Sequence, residues 1–128
     1  MLILLYFVIF GILGWFLDML YRSLVIQKWN SGTHIPGFSV IHAMGALWLY
    51  FFIPFISDFS LIGRFLLYAG TLTLVEFLGA LFSIYVMKKR FWNYSNNFLN
   101  FRGHIDFVHT FYWGILALIF EQIIYPLL

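Results

Sequence analysis

Apolar residues dominate four stretches of this chain, running over about 2–25, 38–56, 61–87 and 107–128. Each approaches the ~20 residues that a helix needs to cross a hydrocarbon core. Asp18 and Arg22 interrupt the first stretch, and the acids Glu76 and Glu121 lie inside the third and the fourth. Pro54 lies near the end of the second, where its missing N–H ends or kinks a helix. The alternation over ~10 residues that a membrane β-strand would show is absent. The pattern predicts an all-α fold, a polytopic integral membrane bundle of about four transmembrane helices. A single transmembrane domain over residues 1–128 would be joined by loops at about 26–37, 57–60 and 88–106.

Composition agrees with that solvent. Of the 128 residues, 63% are hydrophobic and 9% charged, against roughly 25% charged in a soluble domain. The mean hydropathy is +0.94. The 17 Phe, 8 Tyr and 5 Trp suit both lipid contact and interfacial belts. The lipid bilayer is therefore the first expected partner, with a homo-oligomer or a larger membrane complex as further candidates. Nucleic acid is not expected, since no basic face exists outside the loops. The chain has no Cys, which excludes disulfides, thiolate metal sites and Cys catalysis. The N-terminus is apolar from residue 2 and lacks a basic leader region, so it reads as a retained membrane helix.

The basic residues set an expected orientation. Arg22, Lys28, Lys88, Lys89, Arg90 and Arg102 lie in or beside the first and third loops, and Arg64 lies toward the other side. By the positive-inside rule those two loops are cytoplasmic and both termini are outside. So strong a bias also argues against an antiparallel dimer of dual topology.

Ionisable groups within a span cost about 2.5–3.5 kcal/mol each near a helix centre, so each needs a reason. At ~1.5 Å per residue, Asp18 lies roughly 9–10 Å in from the cytoplasmic end of the first helix. Arg22, four residues on, shares its face, so an ion pair is available. His42 falls within about a turn of the cytoplasmic end of the second helix. Glu76 is near mid-membrane in the third. Asp106 and His109, three apart at the start of the fourth, share a face. These six groups are the expected ligand- or proton-binding residues, arranged around a cavity open to the cytoplasm with Glu76 as its floor. Trp92, Asn93, Tyr94 and Asn100, from a loop in which Asn and aromatics interleave, would form its lid or cytoplasmic cap. A structural reading stands beside this one. In it Asp18–Arg22 is a structural pair, the His residues bond backbone or snorkel, Glu76 is bonded to a neighbouring helix, and the loop is an aromatic belt. Glu121 reads as an interhelical or subunit contact. Small residues at Gly11, Gly14, Ala43, Gly45, Ala46, Gly70, Gly79, Ala80, Ser83, Gly114 and Ala117 fit close helix packing.

No Walker A loop, dinucleotide fingerprint or Gly-x-Ser-x-Gly elbow is present. No cofactor is expected. A divalent metal on Asp18, Glu76, Asp106 and the two His would have suitable ligand types, yet no metal site is assigned to them; haem on His42 and His109 is a weaker alternative.

Several pieces resemble a known family. Gly11-Ile-Leu-Gly14-Trp15-Phe-Leu-Asp18-Met-Leu-Tyr21, with Asn30-Ser31-Gly32 and Pro36-Gly37, resembles the opening of the bacterial family named putative ABC-transporter type IV membrane proteins. Glu76-Phe-Leu-Gly79, Trp92-Asn93-Tyr94-Ser95, Asn100-Phe-Arg-Gly103-His-Ile105 and Trp113-Gly114 resemble its later motifs. The likeness marks Trp15, Asp18, Glu76, Trp92, Tyr94 and Asn100. It departs at Asp18, where the family favours Glu, at Asn93, where it favours Asp, and near Ile41-His42-Ala43, where it favours a Tyr-x-Gly type motif. The resemblance implies a small permease-like or transport-associated protein of the bacterial cytoplasmic membrane. A membrane enzyme acting on a lipid or isoprenoid headgroup, or a non-catalytic assembly partner, are the alternatives; whether the chain is an enzyme stays open, with transport the leading reading.

Overall fold

A computed structural model describes residues 1–27 and 35–128. Lys28 and the Asn30-Ser31-Gly32 motif lie outside the described residues. Among those described there are four α-helices and no strand: α1 (Leu2–Tyr21), α2 (Val40–Ile56), α3 (Leu61–Tyr85) and α4 (Phe107–Ile119). α1 continues through a π-helical turn, Arg22–Ile26, and stops where Gln27 takes a left-handed conformation, φ 58°. α4 continues through a second π-turn, Phe120–Ile124, and a final turn of 3-10 helix, Tyr125–Leu127. Three helical runs are long and apolar enough to cross a membrane: Leu2–Ile26, Leu61–Tyr85 and Phe107–Leu127. The chain is thus an all-helical membrane protein. α2 is shorter, at 17 residues.

Helix ends differ from expectation by about two residues, and turn chemistry explains each. α2 begins at Val40 rather than 38 because Ile35 and Phe38 pair as an isolated bridge across Pro36 and Gly37, with Gly37 at φ +77°. α3 stops at Tyr85 rather than 87. The N–H groups of Val86 and Met87 both return to the Phe82 carbonyl, and Lys88 turns the chain at φ 57°. Pro54 sits within α2, which ends two residues later at Ile56.

Contacts group the chain into two compact units, Met1–Leu47 and Trp48–Leu128. In the first, α1 packs on the opening turns of α2 through bare backbone. The Ser39 N–H donates to the Gly11 carbonyl at 2.8 Å. A Cβ on Gly11 would strike the Phe38 ring, and one on Gly14 would strike His42. Small residues permit this approach, which is how helices gain contact where the surrounding lipid is as apolar as they are. Ala43 and Ala46 are buried, and the Tyr6 hydroxyl donates to the Ala46 carbonyl at 2.8 Å.

In the second unit, α3 packs along α4. Tyr68, Leu72, Glu76, Ala80 and Ser83 recur every three or four residues on the buried stripe of α3. Gly114, Ala117, Phe120 and Glu121 are the buried residues of α4 and its π-turn. Gly114 lies under the Phe65 ring, and the Thr73 hydroxyl donates to Thr110 Oγ1 at 2.8 Å. The other face of α3 leaves Leu66, Leu74, Leu78 and Phe82 exposed, a surface that only lipid solvates cheaply.

Candidate functional site

Glu76 is the residue around which the second unit is organised. It sits in the middle of α3 with 3% of its surface exposed. Its two oxygens are divided between two donors. The Tyr94 hydroxyl donates to Oε1 at 2.8 Å, and the Trp113 indole N–H donates to Oε2 at 2.9 Å. Both donors are neutral, and among the described residues no Lys or Arg pairs with this carboxyl. Tyr94 comes from the loop and Trp113 from α4, so three elements meet on one carboxyl.

Behind Tyr94 lies a second layer. The His109 ring stacks on the Tyr94 ring, centroids 4.1 Å apart and planes within 12°. His109 Nδ1 lies 2.8 and 2.9 Å from the two Asp106 oxygens. Asp106 is the N-cap of α4, and its Oδ1 also accepts the His109 backbone N–H at 2.7 Å. Asn97 donates its side-chain amide to Oδ2 of the same carboxylate. One buried acid therefore starts the helix, orients an imidazole and ties down the loop.

The loop over 88–106 is held by side-chain bonds to its own backbone. The Trp92 indole N–H donates to the His104 carbonyl at 2.9 Å. Tyr94 N–H donates to the Gly103 carbonyl, and Gly103 N–H to Asn100 Oδ1. Asn100 in turn donates to the Ser95 and Asn97 carbonyls. Asn93 Oδ1 accepts from the Ser95 N–H and from Arg90, whose other terminal nitrogen donates to the Arg102 carbonyl. Gly103 stands at φ +73°, where a Cβ would meet Asn93 and Arg90. Burial first, then the charges of Arg90 and Arg102, hold the His104 imidazole below its ordinary range.

The expected site residues fall into two groups, each within its own unit. Glu76, Asp106 and His109 come together with Tyr94 and the loop residues Trp92, Asn93 and Asn100. In the first unit Asp18 pairs with Arg22 at 3.4 Å, both about a quarter exposed, and His42 Nδ1 lies 2.7 Å from Ser39 Oγ. Among the described residues, no group of three His, Asp or Glu side chains is placed to hold a metal ion.

Sequence reasoning had no site role for Trp113, although its spacing of four from His109 and seven from Asp106 puts all three on one face of α4. It also had no partners for Glu121. That carboxyl accepts from the Tyr68 hydroxyl at 2.7 Å and from Arg64 at 3.1 Å, and its other oxygen accepts from Gln122 at 2.9 Å. Arg64 and Tyr68 stand four apart on α3, and eight residues separate Tyr68 from Glu76. The seam between α3 and α4 thus carries one acid with neutral donors and one acid with a cation.

Fold and site together define a class: small all-helical membrane proteins with a carboxyl buried in a span and tied to an ordered aromatic loop. The chain belongs to the family described as "Putative ABC-transporter type IV", whose model matches residues 5–128. The resemblance drawn from the short motifs is therefore borne out across nearly the whole chain. No curated protein and no solved structure matches it.

Proposed function

We propose that this chain is a small transport-associated, permease-like protein of the bacterial cytoplasmic membrane whose working group is Glu76. In this reading the carboxyl takes up and releases a proton, or a small cation in its place, and the loop over 88–106 controls access. The observation that carries it is the donor set. A structural acid in a span is normally neutralised by a cation, as Arg64 does for Glu121. Glu76 has two neutral donors instead, an arrangement that supports either protonation state: the anion accepts both bonds, and the acid still accepts both while keeping its own proton. Ionisable groups so placed in transporters are the usual proton-relay residues. Asp18, Arg22 and His42 are proposed as ligand-contacting groups of the same protein, with Asp106 and His109 positioning the loop over Glu76.

The test is proton uptake into liposomes holding the purified chain and a trapped pH indicator, driven by an imposed membrane potential. Wild type should acidify the lumen, and Glu76→Gln should fall to the level of protein-free vesicles while eluting as folded protein. Undiminished uptake by Glu76→Gln would overturn the reading. The Asp106–His109 pair favours a second reading, since a carboxylate-oriented imidazole is also a general base. An enzyme acting on a lipid headgroup would release a soluble product from labelled lipid, and His109→Gln would abolish that release.

A further inference from the structure

Beside the Glu76 site, α3 and the loop line a shallow, open groove of about 350 Å³ formed by Gly70, Thr73, Leu74, Phe77, Phe101 and Ile105. Its walls are apolar except for the Thr73 hydroxyl, which is already committed to Thr110. Gly70 leaves the floor bare, with nothing within 4 Å of where a Cβ would stand. Gly70, Leu74 and Phe77 follow one face of a membrane-spanning helix, so the groove runs lengthwise for ~10 Å, at 1.5 Å per residue, up to the edge of the loop. That is the shape and chemistry of a slot for one extended acyl chain.

The edge of the loop is strongly basic. The Arg102 guanidinium stands 5.6 Å over the ring of Phe101, itself a groove wall. Among the described residues it has no carboxylate partner. Lys88 and Lys89 are exposed on the same loop, and the segment 86–105 holds four cations and no Asp or Glu. Arg90 differs, because its terminal nitrogens are engaged by Asn93 and the Arg102 carbonyl. His104, whose imidazole is held down by burial first and then by the charges of Arg90 and Arg102, has its ring 5.8 Å from that of Phe77, a groove wall.

We infer that this groove binds one anionic phospholipid, with an acyl chain along Gly70, Leu74 and Phe77 and the phosphate at Arg102, assisted by Lys88 and Lys89. Charge complementarity selects the occupant. Neutral lipid satisfies the slot but leaves Arg102 unanswered, whereas a soluble phosphate answers Arg102 and leaves the slot empty. The inference shares the loop over 88–106 with the Glu76 reading but rests on side chains that do not touch Glu76, and it does not depend on that reading.

Native mass spectrometry of the full chain in neutral detergent tests it, titrating phosphatidylglycerol against phosphatidylcholine with the same chains. Wild type should bind the anionic lipid more tightly. Arg102→Gln should weaken that binding roughly fivefold, the factor equivalent to about 1 kcal/mol per basic residue at an anionic surface. Leu74→Trp, which fills the slot from an exposed position, should weaken it too, while Leu78→Trp, exposed on α3 outside the slot, should not. Equal binding of the two lipids would overturn the inference. So would a loss confined to Arg102→Gln with Leu74→Trp unaffected, since the charge would then be read without the groove.

Discussion

Glu76→Gln keeps its fold for a reason that lies in its two donors. An indole N–H only donates, whereas a phenol hydroxyl both donates and accepts. Gln can therefore turn its oxygen toward Trp113 and its amide toward Tyr94, so that both contacts persist with the Tyr94 bond reversed while the proton site is lost. Removing a donor is a different change. Bonds between spans are worth about 0.6 kcal/mol on average and about 1.7 at most. Tyr94→Phe and Trp113→Phe are each expected to lower stability by about 1 kcal/mol, read from reversible unfolding in mixed detergent and lipid. Loss of less than a few tenths in both would show that the donors do not hold the carboxyl. Glu76 itself was legible in the sequence, because an acid in mid-span is rare enough to require an explanation. Its partners were not, because Tyr94 and Trp113 are 18 and 37 residues away and no spacing rule connects them.

Helix pairing in the first unit rests on the absence of a side chain. Gly14→Ala would place a methyl against His42, and overpacking of this kind costs about 1–3 kcal/mol. Gly70→Ala adds the same methyl to open space and gains up to about 1 kcal/mol of helix propensity. The first substitution should lower the unfolding midpoint, and the second should leave it unchanged or raise it. Equal effects would mean that neither glycine marks a close approach. The four helices were legible from their apolar length, and the glycines from their recurrence. Helix ends were less so, since Lys88 at a positive φ is a local choice with no sequence signal. Nor did any pattern announce the π-turns at Arg22–Ile26 and Phe120–Ile124, because a residue inserted into a helix leaves its composition unchanged.

For the whole molecule, the lopsided distribution of Lys and Arg predicts which side the loop over 88–106 faces. The chain lacks Cys, so single cysteines report without background. Asn96→Cys should label only from the cytoplasmic side and Ser57→Cys only from outside, with a membrane-impermeant maleimide on intact and permeabilised cells. The reverse pattern would invert the topology. Charge asymmetry survives in sequence because it is additive, whereas the partner that each polar residue takes depends on contacts between distant segments. Depth along each helix placed Asp18, Arg22, His42, Glu76, Asp106 and His109 in one cluster. Within Met1–Leu47 the structure pairs Asp18 with Arg22 and sets His42 beside Ser39, and within Trp48–Leu128 it brings Asp106 and His109 to Tyr94 and so to Glu76.

One polypeptide here carries helices of very unequal length. α2, with 17 residues, rises about 25 Å, and α3, with 25, rises about 37 Å. A typical hydrocarbon core of about 30 Å fits neither. A span as long as α3 tilts or thickens the leaflets around it, at fractions of a kcal/mol per Å. The acyl length of the host membrane therefore becomes a setting of the protein's energy, independent of any ligand.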